Sequence, residues 1–428
     1  MTKLKKTSPW AWVPTLYFAE GIPYLMVMTI SVIMYKRLGM GNDDIAFYTS
    51  WLYLPWVIKP LWSPLVDILK TKRWWIVIME FVVGVALAGV ALTIQAPHFV
   101  QYTLALFWLM AFSSATHDIA ADGFYMIGLD TNQQSLFVGI RSTFYRISMI
   151  AGQGLTLILA GTLETSTGNI AQAWTLTMAA VAVMFIALFV YHAFMLPHSE
   201  EKPAARAKRN FISDFVVTFG DFFRRKDVLT AIVFMLLYRF PEALLAKISP
   251  LFLVDTTEAG GLALSTEAVG IAQGTVGVIG LTLGGILGGI CASRGGLKKW
   301  LWPMVWAISL PDIVYVVLSW WHVQDIWLVS AAICVEQFGY GFGFTAYMLF
   351  MLYFCQGKNQ TSHYAICTGF MALSMMLPGM FAGKLQELMG YTPFFILVMV
   401  CTLVTFAVSA FVKIDPKFGI KDTASKKE

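Results

Sequence analysis

Charge is what this chain has least of. Only 13% of its 428 residues are Asp, Glu, Lys or Arg, 58% are hydrophobic, and the mean hydropathy is +0.68. Soluble globular domains carry about a quarter charged residues, so this composition excludes a water-soluble domain and points to a bilayer. Cysteine is scarce as well. Cys291, Cys334, Cys355, Cys367 and Cys401 fall within or at the ends of apolar runs and form no C-x-x-C pair. That excludes a disulfide framework and a zinc site, and leaves packing as their role. Long polar stretches are missing except for one between residues 197 and 226, so no added soluble domain of the kind a membrane sensor carries is expected. Lys3, Lys5 and Lys6 precede an apolar run that is too long, and too poor in small residues at its end, for a cleaved signal peptide.

What the chain does have is apolar runs of about 20 residues, long enough to cross roughly 30 Å of hydrocarbon as helices. They predict an all-α membrane protein with twelve spans, at 9–35, 44–69, 73–95, 99–128, 134–161 and 171–195, then 227–254, 266–292, 298–320, 325–354, 360–388 and 391–413. Lys and Arg cluster in alternate loops, as at Lys70, Lys72, Arg73, Arg224, Arg225, Lys226, Lys298 and Lys299, while Asp43, Asp44, Glu164, Asp255 and Asp325 hold the other face. Lys36 and Arg37 are the exceptions. The bias predicts that both termini are cytoplasmic. It also accounts for the net charge of +5 by contact with anionic lipid, with no nucleic-acid partner.

The polar stretch divides the chain into residues 1–196, a cytoplasmic linker at 197–226, and residues 227–428, with six spans in each half. Phe211, Phe215, Val216, Phe219 and Phe222 recur at three- and four-residue spacing and predict a linker helix along the membrane surface. Weak internal symmetry supports the halves: "LYFAEGIP" from Leu16 answers "LYRFPEAL" from Leu237, and residues 113–135 align without a gap on 339–361. Six plus six helices about a cytoplasmic loop point to the major facilitator architecture. In the loop "WSPLVDILKTKRW", Asp67 followed by Lys70, Lys72 and Arg73 resembles that fold's charge latch. Lys59 and Asp67 are therefore gating candidates. Gly274, Gly277, Gly280, Gly284, Gly285, Gly288 and Gly289 predict close helix packing, which also suits rocking motions.

A charge at the bilayer centre costs about 3 kcal/mol on insertion scales and so usually faces a bundle interior and has a use. Glu20, Lys59, His117, Asp118, Asp122, Arg141, Arg146, Arg239, Glu242, Lys247 and Glu336 all lie in predicted spans. Asp118 and Asp122 are four apart, which stacks them on one helical face, where they repel unless a cation intervenes. Arg146 on the next helix is the predicted counter-ion. Acids that exchange a proton for an internal cation are the minimum apparatus of proton coupling, and Asp118, Asp122, Arg146, Glu20, Glu242 and Glu336 are its candidates. A permanent structural salt bridge is the competing reading for each pair. Tyr17, Tyr145 and Tyr340 offer rings to a pyranose, Gln153 and Gln337 offer amides to hydroxyl or acetamido groups, and Arg141, Arg239 or Lys247 offer a cation to a carboxylate.

"KPLWSPLVD" at 59–67, "SATHDIAADGF" at 114–124, "FYRISM" at 144–149, "LYRFPEAL" at 237–244 and "CVEQFGYGFG" at 334–343 resemble the AmpG-type muropeptide permeases, in the peptide, acetyl-coenzyme A and drug branch of the major facilitators. The resemblance spans nearly all twelve helices. It implies proton-driven import of N-acetylglucosaminyl-1,6-anhydro-N-acetylmuramic acid, with or without its peptide, across a bacterial inner membrane for cell-wall recycling. Asp118 and Asp122 would be the essential acids, with Tyr145 and Arg146 beside them. No cofactor and no metal are expected. Within the same class, another sugar, a peptide, an acyl-coenzyme A or a drug is the alternative cargo.

His117 to Asp122 also fits the H-x-x-x-x-D of glycerolipid acyltransferases, with His117 as general base and Asp122 orienting it. That motif belongs at the membrane surface, whereas both residues here fall inside a predicted span. The reading is therefore a transporter and not an enzyme.

Overall fold

A computed structural model describes residues 7–198, 211–357, 360–416 and 418, and among these every regular element is helical. The chain forms two compact units, Met1–Asn210 with Ser265–Gly274, and Phe211–Leu264 with Thr275–Glu428.

The first unit opens with α1 (Val13–Leu25) and α2 (Ser31–Arg37), joined through a π turn at Met26–Ile30. Pro23 withholds one backbone N–H from the helical ladder just before that turn, which is where such widening is tolerated. The predicted second span is not one helix but two, α3 (Asn42–Trp51) and α4 (Leu54–Leu69). Pro55 explains the break, because it has no N–H for the Trp51 carbonyl and its ring crowds that turn. There follow α5 (Lys72–Thr93), α6 (Phe99–Gly128), α7 (Thr131–Met149), α8 (Thr156–Thr167) and α9 (Ile170–Met195). Asp130 and Gln133 form a reciprocal capping box that starts α7 two residues after α6 ends, so the two helices return as neighbours. Trp12, Tyr17, Phe124 and Tyr125 anchor a core where α1 meets α6.

In the second unit the predicted linker helix is present as α10 (Phe211–Phe223), with Phe222 buried against Phe354 and Phe370 at 5.6 and 6.2 Å. The predicted seventh span is broken at Tyr238 and Arg239 into α11 (Val228–Leu237) and α12 (Phe240–Val254), again because Pro241 cannot bond the Leu237 carbonyl. The short α13 (Thr266–Ile271) belongs to the first unit, where it packs on α8. The second unit is completed by α14 (Val278–Gly295), α15 (Leu297–Ser309), α16 (Ile313–Trp321), α17 (Ile326–Phe354), α18 (Gln360–Met389) and α19 (Tyr391–Phe411). The glycines of α14 serve packing: a Cβ on Gly284 would stand 2.0 Å from the Phe338 carbonyl oxygen, and one on Gly280 would stand 2.6 Å from that of Cys334. Only a bare Cα lets α14 and α17 touch backbone to backbone.

Eleven helical segments among the described residues are long and apolar enough to cross a membrane, and the broken α3 and α4 account for the remaining predicted span. Large apolar side chains such as Leu92, Phe194, Leu229, Trp327 and Leu403 stand exposed on the outer faces. In water they would oppose folding, whereas in lipid they face their solvent.

Candidate functional site

Within the first unit α1, α4, α6 and α7 converge on a charged cluster. Asp118 on α6 is ion-paired with Lys59 of α4, and one turn on, Asp122 accepts from Arg141 Nη2 of α7 at 2.8 Å. The Tyr17 hydroxyl of α1 donates to the same Asp122 oxygen at 3.3 Å, and Glu20, a turn further along α1, is hydrogen-bonded with Asp118. The Arg141 guanidinium lies over the rings of Tyr17 and Tyr125 at 4.4 and 5.0 Å. Such stacking holds a planar cation in place at about 0.5–2 kcal/mol per ring. The counter-ions of the two aspartates are thus Lys59 and Arg141, and not Arg146 as the spacing predicts. On α7, position 141 rather than 146 lies opposite Asp122. The Asp122 and Asp118 side chains remain 40% and 26% exposed, so this is an accessible cluster and not a sealed core.

Behind it sits a network that the list of buried charges above omits. Glu80 of α5, fully buried, accepts from His192 Nδ1 of α9 at 2.7 Å and lies 3.3 Å from His117 Nε2, while His192 Nε2 meets Thr15 Oγ1 at 2.9 Å. His117 therefore faces a carboxylate deep between helices and has no place as a general base. Glu80 and His192 both lie inside predicted spans, so the rule that found Asp118 also applies to them. Arg37, the exception to the basic bias, is held by Glu164 at 2.8 Å, and Glu164 also accepts from Trp174 at 2.9 Å and Thr266 at 2.8 Å.

The second unit holds a different group. Arg239, in the break between α11 and α12, lies over Tyr340, Phe344 and Tyr347 at 5.4, 4.7 and 5.9 Å and donates to the Tyr340 hydroxyl. Glu336 of α17 accepts from the amide of Gln337 at 3.0 Å. Glu242, Glu336 and Asp312 gather their carboxylates together, all three buried. Asp312 is absent from the predicted set, although it too interrupts an apolar run. Lys247 is buried farther along α12, and Gln153 is buried on a π turn after α7 that follows Tyr145 and Arg146. The Asp67 side chain lies outside the described residues, as do Lys358 and residues 199–210 of the linker. Of the latch-like loop, Arg73 is seen to cap the end of α9 by donating to the carbonyls of Leu196, at 3.1 Å, and Ala193.

Comparison with known proteins bears on the family and the fold. Residues 20–417 match the BT1 family. The Rickettsia conorii protein named "Putative transporter AmpG 4" is 26% identical over 404 residues, covering 90% of this chain and 91% of its own. The anhydromuropeptide permease of Escherichia coli K12 is 22% identical over 401 residues, covering 89% and 74%. Among solved structures, the nucleoside transporter NupG superposes with a TM-score of 0.69 at 15% identity over 96% of this chain and 100% of its own, and a D-xylose-proton symporter with 0.65 at 10% over 94% and 95%. The fold is that of the major facilitators, a family of transporters and not of enzymes, which sets the acyltransferase reading aside. Carrying the family's pattern from Glu20 to Lys417 on a multi-pass helical membrane fold, the chain belongs to the BT1 family and is an AmpG-like major facilitator permease.

Proposed function

We propose that this permease imports anhydromuropeptides, N-acetylglucosaminyl-anhydro-N-acetylmuramic acid with or without peptide, across a bacterial inner membrane together with an inward flow of protons, with both termini cytoplasmic. The observation that carries the reading is the accessible pair Asp122 and Arg141, backed by Tyr17, Asp118, Lys59 and Glu20. An anionic cargo and Asp122 compete for one guanidinium. A proton on Asp122 removes its charge and releases Arg141 to the cargo's carboxylate, so cargo and proton load together, and loss of the proton restores the pair and expels the cargo. Asp118 and Lys59 one turn away repeat the arrangement, and Glu20 shares hydrogen bonding with Asp118. The Tyr17 and Tyr125 rings keep Arg141 aimed during the swap. The names of the Rickettsia and Escherichia relatives support a muropeptide over other cargo.

Uptake by proteoliposomes under an imposed pH gradient, offered labelled anhydromuropeptide or the plain disaccharide, tests both parts. Accumulation of the anhydro species alone supports the reading. Accumulation of neither, or uptake indifferent to the gradient, overturns the cargo or the coupling respectively.

A further inference from the structure

We propose that Glu242, Asp312 and Glu336 form a binding site for a hard, oxygen-seeking cation, Na+ or Ca2+. The three come from the first turn of α12, the 3-10 turn Leu310–Asp312 forced by Pro311, and the middle of α17. One oxygen from each lies within 4.8 Å of the other two, and the residues are only 5%, 3% and 2% exposed. Asp312 supplies the decisive detail: it is a buried carboxylate aimed at the other two, and its Oδ2 has no hydrogen-bond partner, like Oε2 of Glu242.

Ionised, three carboxylates in this dry site carry three negative charges, and Arg239, itself stacked on three aromatic rings, acts on Glu242. Burying an uncompensated carboxylate costs several kcal/mol even after relaxation, so the remaining charge must be met. Protonation of the carboxyls one by one is one way, and a proton shared between two of them, which needs oxygens about 2.6 Å apart, is another. Glu20 and Asp118 in the first unit are hydrogen-bonded, whereas no hydrogen bond joins any two of Glu242, Asp312 and Glu336. A cation bound at about 2.4 Å from each oxygen keeps its ligands within about 4.8 Å of one another, a limit that one oxygen from each of the three carboxylates meets. An all-oxygen donor set selects hard ions, and a dry site disfavours Mg2+, which keeps several of its waters. Glu242 and Glu336, proton candidates on sequence alone, are thereby given to another ion. The site needs neither cargo nor pH gradient, so it stands or falls separately from the transport reading.

The test uses the purified full-length protein in detergent, with NaCl or CaCl2 titrated against choline chloride at constant ionic strength and unfolding followed by tryptophan fluorescence. The wild type should show a saturable rise in Tm of about 5 °C at saturation with one of the two ions and none with choline. Asp312→Asn and Glu336→Gln, which keep shape and remove charge, should each weaken the response at least about tenfold. Should these variants fail to fold, equilibrium binding of radioactive Na+ or Ca2+ to the wild type decides, with about one ion per chain expected. A wild type that answers to neither ion and binds neither overturns the site, as does a response that survives Asp312→Asn.

Discussion

In the first unit Glu20, Asp118 and Asp122 face two cations, Lys59 and Arg141, whereas in the second Arg239 acts on Glu242 of the group Glu242, Asp312 and Glu336. The first group is partly exposed and joined by ion pairs; the second is sealed, and among the described residues its acids hold no ion pair. Both use the same device to aim an arginine, rings of tyrosine or phenylalanine under a guanidinium. The two units thus aim an arginine in the same way but differ in how their acids are balanced. Exposed, paired acids can trade partners with an incoming ligand, since each lost contact is replaced from solvent or cargo. Sealed acids cannot, and must either hold their protons or keep a counter-ion that stays.

The comparison is broken most directly at Asp122. Asp122→Asn should reduce gradient-driven accumulation in proteoliposomes to the level seen without a gradient, while its Tm changes little because the pair is partly solvated. Normal accumulation in that variant would remove the first unit from the coupling mechanism. The sealed networks should respond the other way, in stability. Glu80→Leu leaves the facing nitrogens of His117 and His192 buried without an acceptor and should cost about 3 kcal/mol, read as a lowered Tm in detergent. In the second unit Gly284→Leu drives a side chain into the Phe338 carbonyl and should cost about 1–3 kcal/mol by the same measurement. The smallest effect is expected at Arg37→Ala, about 1 kcal/mol or less, because Glu164 keeps its bonds from Trp174 and Thr266. A larger loss there would show that Arg37 and Glu164 carry more than a half-exposed pair usually does.

Much of the fold was legible because hydropathy reports directly on the solvent a helix meets. The runs marked the spans, and the Phe spacing at 211–222 marked α10. The breaks at Tyr53, Tyr238 and Asp312 were less legible, although Pro55, Pro241 and Pro311 stand beside them, because proline is tolerated in membrane helices and its position alone does not say whether a helix bends or stops. Of the candidate site, the acids on α6 followed from charge in an apolar run, and so, by the same reasoning, would Glu80 and Asp312. Their partners did not follow. Arg141 and Arg146 differ by five residues, more than a turn of helix, and only the packing of α7 beside α6 shows which of them meets Asp122.

The sequence by itself determined the solvent of this protein, its helical class and the places where charge is buried, since each depends on composition within a short window and on the cost of polar groups in hydrocarbon. Only the tertiary structure decided which charges meet: Lys59 with Asp118, Arg141 with Asp122, Glu80 with two histidines, and Asp312 with two glutamates. These contacts join helices far apart in the chain, and the rotation of each helix about its axis is set by the close packing of its neighbours, which no local pattern encodes.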